Sequence, residues 1–183
     1  AGEVVHHDLR VQLLPETGRL IVTDVIKVSA AARSEWRFYL HPGLKITQAD
    51  PPLRALSAQA DATQGPAVYV LEHAPRQGRI TVSYQGSIAH PLREMESGLG
   101  RSQADTGGFI AADGVYLDGN SHWYPQLDDE RVNFSLDIQL PATWSAVSQG
   151  VRANSTTEKE DASIRWEENH PQQEIYLIAA RFH

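Results

Sequence analysis

The sequence predicts an all-β fold: an antiparallel β-sandwich or saddle-shaped sheet with at most one short helix. Three observations carry this expectation. Short runs rich in Val, Ile, Leu, Tyr and Phe recur about every ten residues. Turn chemistry separates them, as at Pro15-Glu16-Thr17-Gly18 and Pro75-Arg76-Gln77-Gly78. No long window shows the apolar spacing of an amphipathic helix.

Taken in order, Leu9, Val11 and Leu13 alternate with Asp8, Arg10 and Gln12, and "RLIVTDVIKVSA" runs back after the first turn, which is the pattern of a hairpin. "SEWRFYLHPGLKITQAD" supplies two short strands around His41-Pro42-Gly43. "AVYVLEHA" and "RITVSYQGSI" read as a second hairpin, with Ile80, Val82 and Tyr84 on one face. From Ala89 to Gly108 the pattern dissolves into polar, Gly-containing sequence with room for one short helix beginning at Pro91. The clearest strand follows: Val132, Phe134, Leu136, Ile138 and Leu140 point one way, and Asn133, Ser135, Asp137 and Gln139 the other. "WSAVSQG", "ASIRWEE" and "EIYLIAARF" complete the series, and Trp36, Trp144 and Trp166, in or beside strands, are expected in the core.

At 183 residues the chain fits one β domain, residues 1–183, large enough to bury a core without covalent staples. The net charge of −7, with no basic stripe, argues against nucleic acid as a partner. The absence of cysteine removes disulfides, thiolate nucleophiles and zinc ribbons. It leaves the compartment open, periplasmic or otherwise exported being one option. No apolar run approaches the roughly 18 residues of a membrane-spanning helix. The strand-like "EIYLIAARFH" reaches the last residue, as in a chain cut at a domain boundary.

Eight histidines invite a search for metal, but no His-Glu-x-x-His occurs. His6 and His7 are adjacent on a strand and point to opposite faces. His90 with Glu94, and His170 with Glu174, each lack a third ligand, so no metal site and no catalytic residue is expected in this segment. Asp128, Asp129 and Glu130 offer an acid–base cluster, although three consecutive acids more often form a solvated turn or pair with Arg131. What remains is "GVYLDGNSHWYP", which crowds Tyr116, Trp123 and Tyr124 among Gly, Asp, Asn and His at a strand entry. Trp123 and Tyr124 either plug the core or wall a ligand cleft.

"WYPQLDDERVNFSLDIQLPATWSAVSQG" resembles the stretch of the aminopeptidase N family of zinc metallopeptidases that runs aromatic-Pro-Cys-x-Asp-Glu, alternating strand, Ala-Val-Ser-Asn-Gly. "WEENHPQQEIYLIAARF" is similar to the element that closes that family's N-terminal domain, and "HHDLRVQLLPETGRLIVTDVIKV" to the one that opens it. The resemblance thus spans nearly the whole chain in order. It implies a saddle-like N-terminal β domain, without catalytic residues of its own, that packs on a downstream catalytic domain of the same chain. There the zinc ligands lie, and the N-terminal domain lends one loop to the cleft for a peptide substrate. On this reading zinc belongs to the parent enzyme, a hydrolase, and none to the present segment. Departures are specific: Gln126 replaces the family Cys, Gln149 an Asn, and Gly114 and Tyr116 stand where an amide or acid usually meets the substrate amine. The cleft candidates are therefore Tyr116, Asp118, Asn120, Trp123 and Tyr124. The alternative function is a free-standing β-sandwich module presenting Trp123 and Tyr124 to carbohydrate or peptide.

Overall fold

The computed structural model describes residues 3–29, 35–56, 65–89 and 108–181. In chain order the strands are β1 (Val4–Leu14), β2 (Arg19–Lys27), β3 (Arg37–Leu40), β4 (Leu44–Asp50), β5 (Leu53–Ala55), β6 (Ala67–Leu71) and β7 (Arg79–Ser87). There follow β8 (Phe109–Ala111), β9 (Gly114–Leu117), β10 (Gln126–Leu127), β11 (Arg131–Pro141), β12 (Trp144–Val147), β13 (Val151–Glu158), β14 (Asp161–Gln172) and β15 (Leu177–Arg181). The helical content among the described residues is three single 3₁₀ turns, at Pro15–Thr17, Arg76–Gly78 and Gly119–Ser121. The helix expected at Pro91 lies outside the described residues. The fold is all-β, as expected.

The strands form three sheets: a seven-stranded one in the order β13-β14-β11-β1-β2-β7-β4, and two four-stranded ones, β10-β3-β6-β5 and β12-β15-β9-β8. The β1–β2 hairpin is antiparallel, with Val11 opposite Val22. The large sheet is nevertheless mixed, because β1 also runs parallel to β11, Val5 opposite Val132 and Leu9 opposite Leu136. Alternation within a strand fixes which face is apolar but carries no information about the direction of a distant partner.

A second correction concerns β6 and β7, which the sequence pattern pairs as a hairpin. Both strands exist, yet β7 pairs with β2 and β4, and β6 with β3 and β5. With both edges of β7 occupied, the Arg76–Gly78 turn carries the chain from one sheet to another. Strand β13 escapes the alternation rule altogether, since every residue from Val151 to Glu158 is exposed on this sheet edge. Pairing with β14, rather than burial, makes it a strand.

The inward faces merge into one core. Val132, Phe134, Leu136 and Ile138 of β11 are fully buried, joined by Leu9 and Leu13 of β1 and Ile80 and Val82 of β7. Phe38 and Leu40 from the second sheet and Val115, Leu117 and Leu177 from the third belong to the same cluster. Trp36 and Trp144 are buried in it, and Trp166 packs against it half-exposed.

Candidate functional site

The stretch from Gly114 to Glu130 leaves β9, makes one 3₁₀ turn, and enters β11 through β10. Asp118 starts the turn as its N-cap: its Oδ1 accepts from the Ser121 amide at 3.1 Å and its carbonyl from the Ser121 hydroxyl at 2.6 Å. Glu174 Oε2 accepts from the Gly119 amide at 2.7 Å, and Gln126 Nε2 donates to the Gly119 carbonyl at 3.0 Å. A side chain at Gly119 would collide with Glu174, its Cβ falling 2.5 Å from Oε2. His122 then takes left-handed backbone angles, with φ 51°, as does Asp129, with φ 54°. Such angles disfavour non-glycine residues by roughly 1–2 kcal/mol each. The segment therefore holds its shape because its surroundings over-determine it.

Trp123 and Tyr124 provide that anchorage. Neither has exposed surface. Trp123 Nε1 donates to the Ile175 carbonyl at 2.9 Å, and the Ile175 amide donates to the Tyr124 hydroxyl at 3.2 Å. The two rings thus hydrogen-bond both backbone groups of a single residue. The Tyr84 hydroxyl donates to the Trp123 carbonyl at 2.9 Å. Burial pushes the phenols of Tyr84 and Tyr124 up, so both stay protonated: Tyr84 donates its proton to the Trp123 carbonyl, whereas Tyr124 accepts through its oxygen. Each buried ring adds roughly 4 kcal/mol or more of transfer free energy.

The stretches that carry the family resemblance meet at this point. Gln149, in "AVSQG", donates to the Glu174 carbonyl at 2.8 Å and accepts from the Tyr176 amide at 3.0 Å, while the Ser148 hydroxyl donates to the Tyr176 carbonyl at 2.7 Å. Residues 174–176 are therefore gripped by "WYP" on one side and "SQ" on the other. Gly150 closes the corner with φ 88°, and a Cβ there would sit 2.1 Å from the Glu167 carbonyl oxygen. The opening strand joins through His7, whose ring meets Tyr124 edge-on at 5.3 Å between centroids.

His7 is the functional-looking residue that sequence reasoning passed over. It is fully buried between two carboxylates, with Nδ1 2.6 Å from Asp24 Oδ2 and Nε2 3.4 Å from Glu130 Oε2. Burial alone pushes the imidazolium down, but the fields of Asp24 and Glu130 outweigh it and raise the His7 pKa to about 10. Burial pushes the Asp24 carboxyl up, with the imidazolium opposing. The acidic triplet thus divides: Glu130 turns inward to His7, while Asp128 and Asp129 are exposed and Asp128 accepts from the Tyr39 hydroxyl at 3.2 Å. One oxygen each of Asp24 and Glu130 stays buried without a hydrogen-bond partner.

Of the cleft candidates, only Tyr116 and Asn120 are exposed; the Tyr116 hydroxyl donates to Asp118 Oδ2 at 3.4 Å, and Asp118 itself is buried. Trp123 and Tyr124 lie behind them in the core. His170 and Glu174 do not converge: His170 is bonded to Glu168, and Glu174 to Gly119. His90 and Glu94 lie outside the described residues. Among the described residues no group of three or more His, Cys, Asp or Glu side chains is arranged to hold a metal ion.

No protein-family model and no curated protein matches the chain. Solved structures do match. An M1 zinc metallopeptidase from Deinococcus radiodurans, crystallised as a mutant with a Tyr-Ser-Ala substrate, superposes with a TM-score of 0.63 at 16% identity, covering 98% of this chain and 42% of its own. A two-domain M1 zinc metallopeptidase bound to L-arginine gives 0.59 at 17% identity, with the same coverage. Legionella pneumophila aminopeptidase A, in complex with aspartic acid, gives 0.62 at 12% identity, covering 97% of this chain and 21% of its own. The chain therefore shares its fold with part of these metallopeptidases and spans less than half of their length.

Proposed function

We propose that this chain is the N-terminal β domain of a zinc aminopeptidase-like protein. It packs on a downstream catalytic domain and lends the Tyr116–Asn120 turn to that domain's substrate cleft. One observation carries the reading: the stretches resembling the aminopeptidase N family are distant in sequence, yet they interlock around Tyr124 and Ile175. Chance resemblances scattered along a chain have no reason to become one hydrogen-bonded unit. The fold likeness over 98% of the chain supports the same reading.

The role of the segment is positioning. Trp123 and Tyr124 hold the turn from behind, Glu174 and Asp118 fix its backbone, and Tyr116 and Asn120 face outward. Among the described residues, those around His7 do not fit a zinc ion. His7 has both ring nitrogens directed at carboxylates and its proton retained to about pH 10, and a ligating imidazole must be neutral. Zinc chemistry, the polarisation of a scissile carbonyl and of water, belongs to the catalytic domain. The module reading loses its presenting rings, since Trp123 and Tyr124 have no exposed surface.

The parent reading frame tests the proposal. It should continue beyond His183 into His-Glu-x-x-His with a Glu roughly 18 residues further on, and the purified parent should hydrolyse aminoacyl-arylamides in a zinc-dependent way. A natural stop at His183 would end this reading.

A further inference from the structure

The chain passes between the seven-stranded sheet and the β10-β3-β6-β5 sheet twice at one place. It leaves β4 for β5 through Pro51 and Pro52, and β6 for β7 through residues 72–78. The two crossovers are tied together, because the Glu72 amide donates to the Pro52 carbonyl at 3.4 Å. The second is also tied to β2: the Val28 amide donates to the Gly78 carbonyl at 2.8 Å, and a Cβ on Gly78 would lie 2.4 Å from the Val28 carbonyl oxygen. Gln77 and Gly78 are both left-handed, with φ 55° and 66°, and Arg76 and Arg79 flank them. Between the crossovers lies an open cavity of about 460 Å³. That volume falls in the range of small-molecule sites, roughly 300–1,000 Å³.

The charge of this cavity is opposite to that of the chain. His73, Arg76 and Arg79 line it, with Asp50 as its only carboxylate, in a protein of net charge −7. The β2–β7 register sets Lys27 directly opposite Arg79. Such residues project to the same face, and like charges so placed destabilise a sheet. Among the described residues, Lys27, Arg76, Arg79 and Asp50 make no ion pair that would offset this. Asp50 stands opposite Thr81 on β7, two residues beyond Arg79 on the same face and about 7 Å from it along the strand.

We propose that this cavity binds a phosphomonoester of a small, hydroxyl-bearing molecule. The guanidinium forks of Arg76 and Arg79 match paired phosphate oxygens, and Lys27 supplies a further point charge for a dianion. The cavity continues past the arginines to Thr81 and Asp50. A carboxylate there repels a second anionic group but accepts a hydrogen bond from a hydroxyl, which selects the remainder of the ligand. The inference does not rest on the proposed function: none of these residues belongs to the Tyr116–Asn120 turn or to its supports.

Glucose 6-phosphate titrated into the isotope-labelled 183-residue chain at constant ionic strength tests it, with amide shifts as the readout. The Gln77, Arg79 and Thr81 amides should shift saturably, glucose should shift none of them, and inorganic phosphate should bind more weakly. Arg76→Gln with Arg79→Gln should weaken binding at least about tenfold, through loss of charge-assisted bonds, and leave the unfolding midpoint in place. Lys27→Gln, on the neighbouring strand, should weaken it in the same sense. Asp50→Ala should erase the preference for glucose 6-phosphate over inorganic phosphate. Shifts that grow without saturating, equal binding of glucose, or unaltered affinity in the double arginine variant overturn the inference. So does binding to vesicles containing phosphatidic acid without binding to the soluble ester, which assigns the cations to a lipid headgroup.

Discussion

His7 Nδ1 lies 2.6 Å from Asp24 Oδ2, and neither side chain has any exposed surface. A charged pair placed so deep, with Glu130 as a third member, couples the strand opening the domain to the acidic turn that precedes β11. Its electrostatics give the first prediction.

Folding holds the His7 proton to about pH 10, against an ordinary value of 6.5. The stabilisation from this group is fully present below pH 6.5 and is lost as pH rises through 10. Urea unfolding between pH 6 and 10 should show stability falling by up to about 1.4 kcal/mol per pH unit. His7→Gln should cost ~3–5 kcal/mol, because it leaves two buried carboxylates without their counter-charge, and should flatten the slope. A slope that persists in His7→Gln would place its origin elsewhere.

Trp123→Phe removes the donor to the Ile175 carbonyl, and Tyr124→Phe removes the acceptor for the Ile175 amide. Each strands a buried backbone group, costing about 1–3 kcal/mol, with an added cavity term for the smaller ring at 123. Denaturant titration should rank Trp123→Phe as the more damaging. If both are neutral, the grip on Ile175 is not what holds the segment.

Gly150→Ala should lower stability by at least ~2 kcal/mol, since φ is 88° and the new methyl would meet the Glu167 carbonyl at 2.1 Å. Thermal melts suffice to check it. An unshifted midpoint would show that the β13–β14 corner can relax.

In the proposed parent enzyme, Glu174→Ala should release the Gly119 amide and loosen the turn bearing Tyr116 and Asn120. The expected result is a fall of about tenfold or more in kcat/KM on peptides, because small displacements of positioning groups are costly. The zinc content should not change. Unaltered kinetics would detach the turn from the cleft.

The strands were legible wherever an apolar face is buried under one sheet. Val132 to Leu140 alternates without interruption because β11 lies inside the large sheet with one face inward. The His7 cluster carried a signal too: His7 falls in phase with Val5 and Leu9, and Asp24 with Leu20, Val22 and Ile26, so two polar residues occupy apolar positions. Joining them required the β1–β2 register, which sets Leu9 opposite Asp24, and the return of Glu130 from far along the chain. The aromatic pair was legible as core or cleft and no further. Composition does not tell which neighbour a ring will face, and the decisive partner, the backbone of Ile175, is invisible to any side-chain pattern.

The parallel pairing of β1 with β11 has a consequence for biosynthesis. Val4 aligns with Arg131, so one flank of the first strand has no neighbour until 131 − 4 = 127 further residues have been made. At ribosomal speeds that interval is roughly 6–25 s. During it the nascent hairpin displays a bare, apolar strand flank, the kind of template on which chains stick together. Polypeptides truncated before Arg131 should therefore precipitate or remain bound to chaperones, and those extending past Pro141 should be the first to release.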